Sequence, residues 1–196
     1  MPVTAPAITH GSKRSARSAN IINMPHGADN LLDIIPSSPP RDPALNDFDF
    51  MSPAPVAIHT YKNKSGRPLF GVLRVPDGGD GFKRQMVVYG RKGGAEKWYL
   101  VDDEEWSAVK KSVLPGGHSP IYGLDKLTAR PESSVLYFFD EYVADIAQEK
   151  LPDFVTVSGS GEACLDELSA RDVTIWPDAG EIGTTEALGA ANMLKK

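Results

Sequence analysis

Between residues 135 and 194 the chain alternates three times between a short continuous apolar run and an amphipathic stretch: 135–139 then 141–148, 154–157 then 161–168, and 173–176 then 184–194. Uninterrupted apolar runs of this length read as strands buried on both faces, and strands separated by helices read as parallel neighbours joined by right-handed crossovers. The pattern predicts an α/β unit, a parallel sheet with helices on both faces, preceded by one more helical piece over 124–129. Open sheets of this kind bind ligands outside the carboxyl ends of their strands. Asp140, Glu141, Ser158, Asp178 and Glu181 all fall there.

Upstream the pattern differs. Residues 56–61, 69–75, 85–89 and 97–100 are β-rich and are separated by the turn signals Lys64-Ser65-Gly66, Asp77-Gly78-Gly79-Asp80-Gly81 and Lys92-Gly93-Gly94, which together predict a small antiparallel meander. Its turns and flanks hold Lys62, Lys64, Arg67, Lys83, Arg84, Arg91 and Lys92, interleaved with Tyr61, Phe70, Phe82 and Tyr89. Two readings are open for these cations: they cap exposed hairpins and blunt sheet edges, or they track a phosphate backbone and make binding strongly salt-dependent. Residues 101–118 place Asp102-Asp103-Glu104-Glu105 before Lys110-Lys111, which suits the macrodipole of a short helix ended by Pro115-Gly116-Gly117.

Residues 1–55 are rich in proline and serine and are expected to be a disordered or extended tail. Within it, the apolar cluster at 29–35 has the composition to dock on the body or on a partner, and Lys13-Arg14-Ser15-Ala16-Arg17 is either a solvated tail or a nucleic-acid arm. The expected organisation is a tail to residue 55, a β-rich subdomain over 56–118 and an α/β domain over 119–196.

Charge is unevenly spread. Residues 51–130 carry 13 lysines or arginines against 8 acids, and residues 131–196 carry 4 against 13, within a net charge of −5. Such a dipolar chain can meet two kinds of partner. The single cysteine, Cys164, excludes an internal disulfide and a cysteine-rich zinc site, and it is expected to be a buried, inert thiol. No apolar run approaches the roughly 20 residues that span a bilayer, so the expectation is a soluble, cytoplasmic protein with no membrane partner.

The stretch from about Ile34 to Leu194 resembles the Toprim-containing, primase-like region of phage and plasmid replication proteins, a Rossmann-like architecture. The resemblance rests on Pro120-Ile121-Tyr122-Gly123-Leu124-Asp125-Lys126-Leu127, on Val135-Leu136 leading to Val143-Ala144-Asp145, and on Ile175-Trp176-Pro177-Asp178 with Glu181 and Gly183. The upstream Ser65-Gly66-Arg67-Pro68-Leu69-Phe70 also fits. Members of that family usually read Glu-Gly-Glu-Lys after the first strand and Asp-x-Asp-Glu after the third, because the chemistry needs a glutamate for proton transfer and clustered carboxylates for Mg²⁺. Here the corresponding positions are Phe139, Asp140, Glu141 and Tyr142, then Asp178, Ala179, Gly180 and Glu181.

The resemblance thus implies a degenerate active site with no catalytic residue retained and no required cofactor. A weak Mg²⁺ site at Glu141, Asp178 and Glu181 is the one residual. No Gly-x-x-x-x-Gly-Lys-Ser/Thr loop occurs, so there is no basis for the ATP-driven motor to which such domains are often fused. Gly159-Ser160-Gly161 is a short anion-binding signal at a helix start.

Three functions follow as expectations. The first is a catalytically degenerate primase-like protein of a mobile element, serving DNA replication by binding nucleic acid or a nucleoprotein complex. The second is a phage-borne inhibitor of a host nucleic-acid defence system, docking on a host protein assembly through an acidic face that includes Asp140, Asp145, Asp166 and Glu167. The third is a residual metal-dependent primase or nuclease.

Overall fold

The computed structural model describes residues 34–159 and 162–195. Five strands form the first sheet: β1 (Ile35–Pro36), β2 (Ala57–Lys62), β3 (Pro68–Pro76), β4 (Phe82–Lys92) and β5 (Ala95–Val101). The last four run as the antiparallel meander that the turn signals predict. At the first turn, the Asn63 side-chain oxygen accepts from the backbone N–H groups of Ser65 and Arg67, both at 3.0 Å, while Gly66 takes a positive φ of 76°.

Next come α1 (Asp103–Val113) and α2 (Leu124–Ala129). The Asp102 side chain accepts from Glu105 N–H at 2.8 Å and Glu105 returns a bond to Asp102 N–H, a reciprocal cap that starts α1 where the acidic run predicts it. The second sheet has three parallel strands, with β6 (Val135–Phe138) central between β7 (Val155–Ser158) and β8 (Val173–Ile175). The helices α3 (Glu141–Lys150), α4 (Glu162–Asp166) and α5 (Glu181–Leu194) alternate with them. The protein is therefore mixed α/β, an antiparallel sheet beside a three-stranded parallel sheet with helices.

Side-chain parity divides the interior into three clusters. Leu136 and Phe138 on one face of β6 pack with Ala144 of α3, Val109 of α1, and Tyr61, Phe70 and Val72 of the antiparallel sheet, so the two sheets share one core. Val135 and Tyr137 on the opposite face pack with Leu165 of α4 and Ala190 of α5. The far face of the antiparallel sheet buries Leu73, Val75, Val87 and Trp98 under Phe48. Each such side chain contributes about 1.5–3 kcal/mol when fully withdrawn from water.

The tail expectation is corrected for residues 34–55. Ile34, Pro43 and Phe48 are buried, β1 pairs with β4 at Gly90 and Arg91, and Arg41 forms a two-point ion pair with Asp47 at 2.6 and 2.8 Å. Prolines remove donors along this segment, but tertiary burial of a few apolar side chains holds it regardless. The basic cluster at 13–17, the part of the apolar cluster before Ile34, and Ser160-Gly161 lie outside the described residues.

Candidate functional site

The N-terminus of α3 carries the acids that the sequence places at the strand ends, and the antiparallel sheet closes over them. Asp140 caps the helix, one carboxylate oxygen accepting from the backbone N–H groups of Tyr142 at 2.8 Å and Val143 at 3.1 Å. Its other oxygen accepts from Arg74 at 3.0 Å. The Arg74 guanidinium is itself held between the rings of Phe82 and Tyr142, 4.4 and 4.7 Å from their centroids.

Glu141 is only 5% exposed. Its Oε1 accepts from the Tyr61 hydroxyl at 2.6 Å and from the Arg84 guanidinium. One turn on, Asp145 meets His59 Nδ1 at 2.9 Å, accepts from the Tyr122 hydroxyl at 2.9 Å, and has Lys126 Nζ at 3.7 Å. Arg74 and Arg84 are direct neighbours across β3 and β4. Two like charges there would repel, and the paired acids of α3 resolve the repulsion.

Burial raises the Asp145 carboxyl, but the hydrogen bonds from His59 and Tyr122 and the Lys126 charge outweigh it and hold the group below the usual carboxylate range. Asp140 is lowered on the same balance, burial being overcome by the backbone N–H groups of its cap and by Arg74. Burial, then the adjacent carboxylates, push the Tyr61 and Tyr122 hydroxyls well above their ordinary value, so both remain donors.

Beside this cluster lies a cavity of ≈350 Å³ between the two sheets, at the carboxyl ends of β6 and β7. Tyr61, Phe70 and Trp106 form one wall, with Phe70 centred 4.4 Å from Tyr61 and 4.8 Å from Trp106. Phe139 and Gly159 stand at the strand ends, and Arg84 and Glu141 supply the polar side. Among the described residues Glu141 Oε2 accepts no hydrogen bond.

The residues singled out from sequence are distributed as follows. Glu141 faces Tyr61 and Arg84, while Asp178 and Glu181 are exposed around the start of α5. No three carboxylate, imidazole or thiol groups gather to hold a metal among the described residues. The structure therefore does not bring Glu141 together with Asp178 and Glu181 as one three-carboxylate group. Ser158 is fully buried, its hydroxyl without a partner among the described residues. Cys164 is buried, as expected.

The cations are more engaged than the sequence suggests. Lys62 pairs with Asp42 at 2.7 Å, Lys64 with Glu167 at 2.8 Å, Arg84 with Glu141, and Arg91 with Glu96 at 3.9 Å. Lys83, Arg67 and Lys92 are exposed. Of the acidic face, Asp140 pairs with Arg74, Asp145 with His59 and Tyr122, and Glu167 with Lys64, while Asp166 is exposed.

Sequence reasoning missed His59, Arg74, Trp106 and Tyr122 as members of this site. The available signal was parity. His59 and Tyr61 are two apart on one strand and share a face, and Arg74 shares its face with the core residues Phe70 and Val72. An inward-facing polar residue in a half-buried strand demands a partner. Comparison of the chain with family models, with curated proteins and with solved structures finds no match in any of the three.

Proposed function

We propose that the protein is a non-catalytic, Toprim-like, primase-like binding protein of a phage or plasmid. It acts in the cytoplasm by binding nucleic acid through the cations of its antiparallel sheet. The observation that carries this reading is the engagement of Asp140, Glu141 and Asp145 with Arg74, Arg84, Tyr61, His59 and Tyr122 inside the protein. Carboxylates that already accept from guanidinium, phenol and imidazole groups are poorer ligands for a hard divalent ion, and a proton-transfer group replaced by phenylalanine removes an effect of about 10²–10⁴-fold in rate. Arg67, Lys83, Arg84, Arg91 and Lys92 remain at the surface, where a phosphate can approach them.

The test is to measure strand binding and strand synthesis or cleavage in the same samples, with Mg²⁺ and with Mn²⁺. Binding without turnover supports the reading. Metal-dependent turnover that disappears in Asp178→Ala would overturn it and install the residual primase or nuclease instead.

A second reading, an inhibitor or adaptor acting on a host protein assembly, is favoured by a different surface. Trp176 and Ile182 are 56% and 79% exposed and flank Asp178 and Glu181, an apolar and acidic combination suited to a protein partner. Affinity capture after nuclease treatment separates the two: a defined protein complex that survives nuclease and disappears in Trp176→Ala supports the adaptor.

A further inference from the structure

The geometry points to the cavity between the sheets as a nucleobase pocket, taking one planar nitrogen heterocycle that presents an N–H donor beside an acceptor. This inference rests on the nucleic-acid reading above for its biological source but not for its chemistry.

Three observations converge. The first is an unsatisfied acceptor: Glu141 is nine-tenths buried, its Oε1 receives Tyr61 and Arg84, and its Oε2 accepts nothing among the described residues while the side chain lines the cavity. That oxygen is reached from the cavity, where a ligand N–H can donate to it. The second is a donor next to that acceptor. Arg84 gives one amino group to Glu141, and the rest of its fork takes no partner among the described residues.

The third is the wall chemistry. Trp106, Phe139 and Tyr61 enclose the polar pair with aromatic surface. Arg84 opposes a simple cation, and Glu141 with Asp103, the second acid of the lining, opposes a simple anion. A flat ring with donor and acceptor on one edge suits both and stacks on the indole, an interaction that any base can make. At ≈350 Å³ the space lies at the small end of the roughly 300–1,000 Å³ typical of ligand pockets.

The base has two sources to distinguish, a free nucleoside and an unpaired nucleotide of a strand. On the strand route the exposed Arg84 guanidinium meets the backbone at the mouth of the cavity and the base enters beside it.

The test titrates the intact protein with adenosine, guanosine, cytidine and uridine, each alone, and with single-stranded and duplex oligonucleotides, following binding by calorimetry in wild type and every variant and, where Trp106 is present, also by the signal that Trp106→Leu removes. The expected result is saturable nucleoside binding, weakened at least fivefold in Trp106→Leu. In Glu141→Gln, which keeps the Oε1 acceptor but turns the other position into a donor, the order of preference among the four nucleosides should change. Nucleosides that compete with the single strand identify the strand as the source. Nucleoside binding that leaves strand affinity untouched identifies the free ligand.

The inference is overturned if no nucleoside perturbs the Trp106 signal and single-strand and duplex affinities are equal and insensitive to Glu141→Gln. In that case phosphate binding through the cations still stands or falls separately. Thermal unfolding of both variants checks that the pocket is intact.

Discussion

Glu141, at the start of α3, is tied to the antiparallel sheet through one oxygen. Arg84→Met leaves that buried carboxylate one donor short, and because the Arg84 side chain is 61% exposed the cost belongs at the level of a missing hydrogen bond, about 1–3 kcal/mol, below that of a fully buried pair. Urea titration of Arg84→Met against Lys83→Met checks this: the Lys83 variant should stay within about 0.5 kcal/mol of wild type.

The lowered Asp145 sets an acid limb. An aspartate that ionises more readily folded than unfolded contributes stability above its unfolded value, about 3.9, and the contribution is lost as pH falls because the unfolded chain then binds the proton more tightly. Thermal midpoints should therefore drop below about pH 5, and Asp145→Asn should lower the neutral plateau while flattening that drop. The raised Tyr61 and Tyr122 act at the other end, with stability declining as pH rises past about 10, where an unfolded tyrosine ionises and these do not. A site built this way is half legible in sequence. Strand-end position identifies Asp140 and Glu141, but whether they face solvent or a second sheet depends on contacts such as Tyr61 to Glu141, 80 residues apart.

Among the elements, the three strand-helix repeats are readable because apolar continuity and period act locally, and β6, β7 and β8 fall within a residue or two of the runs that predict them. α5 begins at Glu181, earlier than the periodic stretch from 184 suggests. Gly183 is the reason a turn can precede it so closely: a Cβ there would lie 2.2 Å from the Asp178 carbonyl oxygen.

The 34–55 segment is the element that sequence could not supply. Its local signals are those of an extended chain, and its order comes from Phe48 and Ile34 reaching cores made by distant strands. Gly90 belongs to the same close approach, since a Cβ on it would come within 2.7 Å of both Ile34 and the Ile35 backbone. Phe48→Ala should cost about 3–5 kcal/mol, and Gly90→Ala should release β1, seen as faster amide exchange at Ser37, whose N–H donates to the Tyr89 carbonyl at 3.1 Å. Unchanged exchange at Ser37 in Gly90→Ala would mean that β1 is held by something other than this close approach.

For the molecule as a whole, the shared core of Leu136, Phe138, Tyr61, Phe70 and Val72 joins what sequence divides at residue 118. The charge asymmetry acquires a structural meaning. Part of the positive centre and part of the negative end neutralise each other across the sheet interface, through Arg74 with Asp140, Arg84 with Glu141 and Lys64 with Glu167. The cations that remain outward lie on the hairpins, and α5 keeps Glu181 and its exposed apolar residues on the opposite unit. No helix among the described residues is long and apolar enough to cross a membrane.

The decisive measurement is the salt dependence of single-strand affinity for wild type and for the variant carrying Arg67→Glu, Lys83→Glu, Arg91→Glu and Lys92→Glu, which leaves the Arg84 to Glu141 pair intact. If the hairpin cations bind phosphates, affinity falls in the variant, and the slope of log affinity against log salt flattens by about 0.7 for each phosphate that is no longer neutralised. Equal affinity and equal slope in the two proteins would contradict nucleic-acid binding by the antiparallel sheet.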